Sequence, residues 1–266
     1  MINDRNRRKK NGQIREFFNK MSIDRDKNII KCPILNYEQE MRQKAVIELL
    51  NPSEKELILD VGCGNARDIE FFSMIGAICV GIDISKGMIS EAKEKTAKKN
   101  LDSEFLLCDA TKIPFKNNIF DKVLCSETIE HIPNWEKTIN EIQRILKKDG
   151  LLVITTPNMK SLYGLTKITF DFVGKIFNIF IKKRKIKKHP YDIWKTQIEV
   201  LKVMRKNGFI VKNKMGICFI LGHWTYKLPN FLKKKLVKFI DSIENKIKNN
   251  LTSYGYIIGI SARSID

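Results

Sequence analysis

The stretch LDVGCGNA, residues 59–66, decides how this chain is read. An apolar run ends at Val61, and Gly62 and Gly64 follow at alternate positions. Glycine there lets the backbone turn tightly and come close to a ligand. A helical pattern begins just beyond, over 66–75, so its first N–H groups can face negative charge. Nineteen residues after Gly64 a second apolar run ends in Asp83. An acid at that place can accept hydrogen bonds from ribose hydroxyls. A glycine turn with a ribose acid describes nucleotide-type cofactors in general. The dinucleotide fingerprint wants a third glycine at position 67, which is Arg67 here, and that demotes a nicotinamide or flavin cofactor.

Outward from this loop, short apolar runs alternate with helical patterns. Strands are predicted at 56–62, 77–84, 104–109, 120–126 and 150–156, with helices near 66–75, 86–99 and 135–147. The alternation implies a parallel sheet covered by helices on both faces. Gly150, after Lys147-Lys148-Asp149, reads as the stop of the third helix. A later helix is expected at about 192–206. Two last strands, 209–216 and 255–263, flank a basic amphipathic segment.

Charge divides the chain. Residues 1–159 carry 26 Lys/Arg against 24 Asp/Glu, whereas residues 160–266 carry 23 against 6. The second part therefore holds nearly all of the net charge of +19. A one-signed field of that size suits an anionic partner: a membrane surface, a nucleic acid or an acidic substrate. Abundant lysine throughout is the plainer account, but it does not explain why acids thin out only after residue 160. The six cysteines show no CxxC spacing and several sit in apolar runs, as buried reduced thiols of a cytoplasmic protein would. The polar start, MINDRNRRKKNGQ, lacks the apolar core of a signal peptide. Residues 1–13 are expected to be a disordered basic tail. No window of about 18 residues is free of charge, so no transmembrane helix is expected.

Three further motifs accompany the glycine loop. Asp109 closes the third strand in LLCDA, where a carboxylate can bond an adenine amino group; IPFKNNIFDKV (113–123) leads into the fourth strand; SETIEHIPN (126–134) follows it. With these motifs the chain resembles the class I S-adenosylmethionine-dependent methyltransferases, above all the branch of the ubiquinone and menaquinone biosynthesis enzymes. The resemblance runs from about Phe17 to Val211 and is firmest over 57–157. It implies a Rossmann-like, seven-stranded and mostly parallel sheet whose last strand is antiparallel, in one domain over 14–266. It implies that S-adenosylmethionine lies with its methionine part at Gly62 and Gly64, its ribose at Asp83 and its adenine at Asp109 and Met88. Asp60 would shape the loop or meet the amino group, and Ser126 would line the floor near the methyl. Cys63, Ile84 and Ala110 complete the expected cofactor-binding set. IREFFNKMSIDRDK (14–27) resembles the segment that folds over the cofactor in this branch.

The candidate for acceptor chemistry is ExxEH, at Glu127, Glu130 and His131, just past the fourth strand. If 127–131 opens a turn of helix, the three share a face and could converge on magnesium, manganese or zinc. Relatives that methylate hydroxyls with a metal carry a similar ExxEH, while others carry a Glu-His pair without metal. Three readings follow: a metal site of Glu127, Glu130 and His131, His131 and Glu130 as acceptor-pocket residues in catalysis, or a purely structural His131. His189 is a further candidate ligand.

Two insertions interrupt the expected domain, at 158–190 and 217–250. In the first, Phe172, Ile176, Phe177 and Phe180 recur at helical spacing before KKRKIKK (182–188). In the second, FLKKKLVKFIDSIENKIK (231–248) has the same basic amphipathic character. An apolar helix beside lysines suits the interface of an anionic membrane. A lid over the active site and an RNA-binding surface are the alternatives. The sequence therefore points to a methyltransferase acting on a small apolar or lipid-linked acceptor at a membrane surface, with an RNA methyltransferase as the runner-up. A cofactor-binding fold kept only as an interaction module fits the intact loop and acids poorly.

Overall fold

The structure is a computed structural model and describes residues 4–22, 32–161, 164, 190–219, 228–247 and 253–265. Its centre is a seven-stranded sheet. In chain order the elements are α1 (Asp4–Met21), α2 (Pro33–Leu50), β1 (Leu57–Val61), α3 (Arg67–Met74), β2 (Ile78–Asp83), α4 (Lys86–Ala97), β3 (Ser103–Leu107) and β4 (Phe120–Ser126). A 3₁₀ turn (Ile129–His131) follows, then α5 (Trp135–Ile145), β5 (Leu146–Pro157), α6 (Gln197–Lys206), β6 (Phe209–Ile217), α7 (Asn230–Ile247) and β7 (Ile257–Ser264).

The strand order is β3-β2-β1-β4-β5-β7-β6. Strands β1 to β5 pair in parallel, and β7 is antiparallel to both β5 and β6. The order reverses between β1 and β4, and in open α/β sheets ligands bind in the crevice outside the carboxyl ends at such a switch. That edge carries Gly62 after β1, Asp83 at the end of β2 and Ser126 at the end of β4.

The central strands are apolar on both faces because both are covered. On one face, Val46, Leu49 and Leu50 of α2, Ile69 and Phe72 of α3, and Ile89 and Ala92 of α4 pack on Ile58 and Leu124. On the other, Ile139, Ile142 and Ile145 of α5 with Val200 and Met204 of α6 pack on Leu59, Val123 and Ile154. A smaller cluster joins α2 to α7 through Ile34, Tyr37 and Ile240. Cys63, Cys79, Cys125 and Cys218 are buried free thiols, and burial raises each above its ordinary pKa.

Three local expectations change. The tail is helical from Asp4, not disordered to residue 13, and Ile14 is buried. The third helix of the alternating pattern ends at Ile145, not at Gly150. Leu146 already pairs with Phe120, and Asp149 takes the left-handed turn at φ 62°. The late helix starts at Gln197 rather than 192. Thr196 caps it by accepting from the Glu199 N–H while Glu199 accepts from Thr196, which fixes its first turn. The stretch before it is used in extended form: the Ile193 N–H donates to the Glu130 carbonyl and the Met159 N–H to that of Lys195. The aromatic run 172–180 and the lysines 182–188 lie outside the described residues.

Candidate active site

At the switch point the structure opens a cavity of about 420 Å³. Its floor is the loop after β1. The Gly62 and Cys63 N–H groups both donate to the Ile82 carbonyl, so the loop is laced to the end of β2. Gly62 adopts φ +77°, and a Cβ there would meet Thr128 Oγ1 at 2.3 Å. An alanine would be strained in backbone and crowded in space at once.

Asp83 holds this loop as well as facing the cavity. Its carboxylate accepts from the Gly64 N–H at 3.0 Å and the Ser85 N–H at 2.8 Å, tying the loop to the first turn of α4. An ionised carboxylate has about four acceptor positions, so these bonds leave capacity for ribose hydroxyls. Asp109 accepts from the Thr111 N–H and hydroxyl at 2.9 and 2.8 Å. Its other oxygen accepts from the Asn11 side-chain amide of α1 at 2.9 Å, which shows that it suits an amino donor such as that of adenine. Ile84, Met88, Cys108 and Ala110 line the same end. The loop, the two acids and this apolar seat fit S-adenosylmethionine.

Helix α1 roofs the cavity with Ile14, Phe17, Phe18 and Met21. Asn19 anchors it, accepting from the Ser85 hydroxyl at 2.7 Å and the Gly87 N–H at 3.0 Å. The sequence places this segment over the cofactor, and the structure extends it toward the N-terminus as far as Asn11. No sequence signal distinguishes Asn11 or Asn19 from other polar residues of the tail.

Beneath the loop lies a charge network that sequence reading misses. Arg42 of α2 is 5% exposed and donates to both oxygens of Asp68, at 2.8 and 3.2 Å, and to Ser126 Oγ at 2.6 Å. Burial works most strongly against its charge, but Asp68, Glu127 and Asp60 together outweigh it and move its pKa up. Asp60 lies close by. Burial and the Asp68 charge lift its carboxyl well above the ordinary range, and Arg42 pulls the other way. From Arg42 a chain of hydroxyls continues: Ser126 Oγ meets Thr155 Oγ1 at 2.7 Å, and Thr155 donates to Glu127 at 3.2 Å. With the guanidinium donating at one end and the carboxylate accepting at the other, each hydroxyl accepts once and donates once.

At the acceptor end the ExxEH residues do not open a common helical face. Glu127 takes a left-handed conformation at φ 49°, and only Ile129–His131 forms the 3₁₀ turn. Glu130 is 1% exposed and accepts from the Thr156 hydroxyl at 3.0 Å, turned toward β5. Burial and then the Glu127 charge raise its pKa well above normal. His131 keeps its Nε2 3.9 Å from a Glu130 oxygen. Its Nδ1 lies 3.2 Å from the Tyr191 carbonyl, and its ring meets Phe18 edge to face at 5.3 Å. Among the described residues no three His, Cys, Asp or Glu side chains are grouped to hold a metal ion. The expected convergence of Glu127, Glu130 and His131 on a cation is not formed, and His189 lies outside the described residues.

Asp83→Ala removes a carboxylate that this site uses twice. Loss of a charged acceptor costs about 1.5–3 kcal/mol, which weakens S-adenosylmethionine binding by roughly ten- to a hundredfold or more. Calorimetry on the folded variant checks this; unchanged affinity would remove Asp83 from the site.

Comparison with known proteins agrees with this geometry. Residues 59–154 match the family model described as a methyltransferase domain. The demethylmenaquinone methyltransferase of Staphylococcus saprophyticus is 32% identical over 188 residues, 66% of this chain and 77% of that protein. The ubiquinone biosynthesis O-methyltransferase of Pelagibacter ubique is 28% identical over 179 residues, 67% of this chain and 72% of that protein. Among solved structures, magnesium protoporphyrin IX methyltransferase of Synechocystis superposes with a TM-score of 0.64 at 15% identity, covering 96% of this chain and 99% of that one. That likeness shows the shared fold. The chain belongs to the class I S-adenosylmethionine-dependent methyltransferases, near their quinone-biosynthesis branch.

Proposed function

We propose that this enzyme methylates a hydroxyl of a small apolar or lipid-linked acceptor and works at a membrane surface, with His131 as the base. One observation carries the reading: the make-up of the cavity's acceptor end. Phe17, Phe18, Ile132, Pro133, Trp194 and Tyr256 form its walls, and its polar groups include His131, Glu127, Glu130 and Asp192. Among the described residues no lysine lines the cavity, although the chain has 49 Lys and Arg. A phosphate-rich acceptor such as RNA would meet, among the described lining residues, seven acidic side chains and two arginines. An uncharged ring meets apolar walls. The quinone-pathway relatives support an acceptor of that kind.

His131 has the geometry of a base. A carbonyl can only accept, so the contact with Tyr191 puts the proton of the neutral imidazole on Nδ1 and leaves Nε2 as the basic nitrogen. Nε2 lies 3.9 Å from a Glu130 oxygen. Bound S-adenosylmethionine supplies a methyl already activated on a sulfonium. The residues have three tasks: to hold the hydroxyl in line, to exclude water and to take its proton. Phe17 and Phe18 of α1 close the roof, and His131 Nε2 takes the proton. Glu127, held by the chain from Arg42, offsets the imidazolium charge that results.

Incubation with methyl-labelled cofactor and separate lipid and RNA extracts tests the reading. Label is expected in the lipid extract, in an alkali-stable ether. Label confined to RNA would replace this reading with the RNA one. Among the described residues no helix is long and apolar enough to cross a membrane, so contact with lipid would be made from one side.

A further inference from the structure

Helix α7 carries two phenylalanines on the wrong side for folding. Its inner face packs on α2 through Leu236, Val237 and Ile240, and the Tyr37 hydroxyl donates to Glu244 at 3.2 Å. Its outer face presents Phe231, 62% exposed, and Phe239, 60% exposed. Eight residues at 1.5 Å per residue set the two rings about 12 Å apart along the axis. Lys234, Lys235 and Lys238 stand exposed between them, and positions 230–240 contain no acid. Burial in the fold explains neither ring.

The topology sets this helix at the edge that holds the cavity. Pro157 at the end of β5 pairs with Ile257 at the start of β7, and Ile257 pairs with Ile217 at the end of β6. All three lie at the sheet's carboxyl edge, where Pro157 and Tyr256 line the cavity. The connection from β6 to β7 that contains α7 leaves and returns at that edge. The first insertion leaves β5 there too. The strongly basic part of the chain is thus rooted around an acidic cavity.

We propose that the outer face of α7 docks the enzyme on an anionic lipid surface, with Phe231 and Phe239 entering the interface and the three lysines meeting the headgroups. Lysine stems lie along apolar surface while their ammonium groups stay in the polar layer, which suits this alternation of ring and charge. Each lysine near such a surface adds attraction that salt weakens. The docking deepens the reading of a lipid-side acceptor and rests on it, because an apolar acceptor is presented where the helix lands. RNA would be drawn by the lysines alone, and the cavity behind them repels phosphate.

Co-sedimentation with vesicles of phosphatidylcholine, with and without phosphatidylglycerol, tests the surface. The full chain is expected to bind the anionic vesicles. Phe231→Ser with Phe239→Ser should weaken that binding by about tenfold or more, since two large apolar groups stay in water. The melting temperature and the affinity for S-adenosylhomocysteine should not change, because both rings are exposed and outside the cavity. Wild-type protein that ignores anionic vesicles, or a double variant that binds them as wild type does, would overturn the docking face. So would RNA binding with a steep salt slope in the absence of vesicle binding. The labelled-extract assay keeps the two ideas apart. Vesicle binding with label only in RNA leaves the surface and removes the acceptor reading. Label in lipid without vesicle binding does the reverse.

Discussion

Arg42→Met is expected to lower the stability of this enzyme by about 3–5 kcal/mol, the usual result of removing one partner from a buried ion pair. Methionine matches the arginine stem in length and favours a helix, so the change acts through charge rather than through α2 itself. Asp68 would stay buried without the guanidinium that now meets both its oxygens. Asp60, whose carboxyl Arg42 already helps to ionise, would be driven further toward its neutral form. For a chain of this size each kcal/mol moves the melting temperature by about 2–4 °C, so a fall on the order of 10 °C is expected. Arg42→Lys keeps one charge but not the two-pronged contact, and should fall between variant and wild type. Arg42→Met combined with Asp68→Leu should recover much of the loss, because the stranded charge is then gone as well. Scanning calorimetry decides; a shift under about 2 °C for Arg42→Met would mean that the pair is not a clamp.

The same residue shows where the sequence stops being readable. The alternation around LDVGCGNA gives four of the five parallel strands to within two residues at either end, but it starts β5 at 150 where the structure starts it at Leu146. Helix α2 leaves no such trace. Its buried side includes Tyr37, Glu38 and Arg42 beside Val46, Leu49 and Leu50, so the polar groups that serve the site erase the apolar stripe. Glu127 is hidden differently. Its left-handed φ is a property of one backbone position, and no neighbouring glycine announces it. Helical spacing through 127–131 therefore misleads, and with it the expected metal triad. The start of α6 is set by the capping box of Thr196 and Glu199, which the expected boundary at 192 overlooks. The expected cofactor-binding residues all line the cavity. The structure adds that Asp83 and Asp109 also bind the chain to itself, and spacing carries no sign of that second duty.

His131→Asn should reduce methyl transfer by roughly 10²–10⁴-fold, the range that a positioned general base typically supplies. Asparagine is chosen because its amide can reproduce the Nδ1 donor to the Tyr191 carbonyl while offering no basic nitrogen in place of Nε2. A role limited to packing against Phe18 would survive that change in part; a role as base would not. The loss should fall on turnover, with acceptor KM little changed, since the imidazole acts on the proton as the bond forms. Affinity for S-adenosylhomocysteine should stay within about twofold, an interval set by the few tenths of a kcal/mol that distant changes produce. Glu130→Gln is the companion variant. Its neutral amide keeps the size of the carboxyl, whose pKa burial raises, and it can still accept from Thr156. It should therefore retain far more activity than His131→Asn. With His131 as the base, a chelator should leave wild-type turnover unchanged. The assay is transfer of labelled methyl into the lipid fraction. Equal losses in His131→Asn and Glu130→Gln, with full inactivation by chelator and rescue by magnesium, manganese or zinc, would show that the ExxEH residues converge on a cation during turnover and would take the proton from His131.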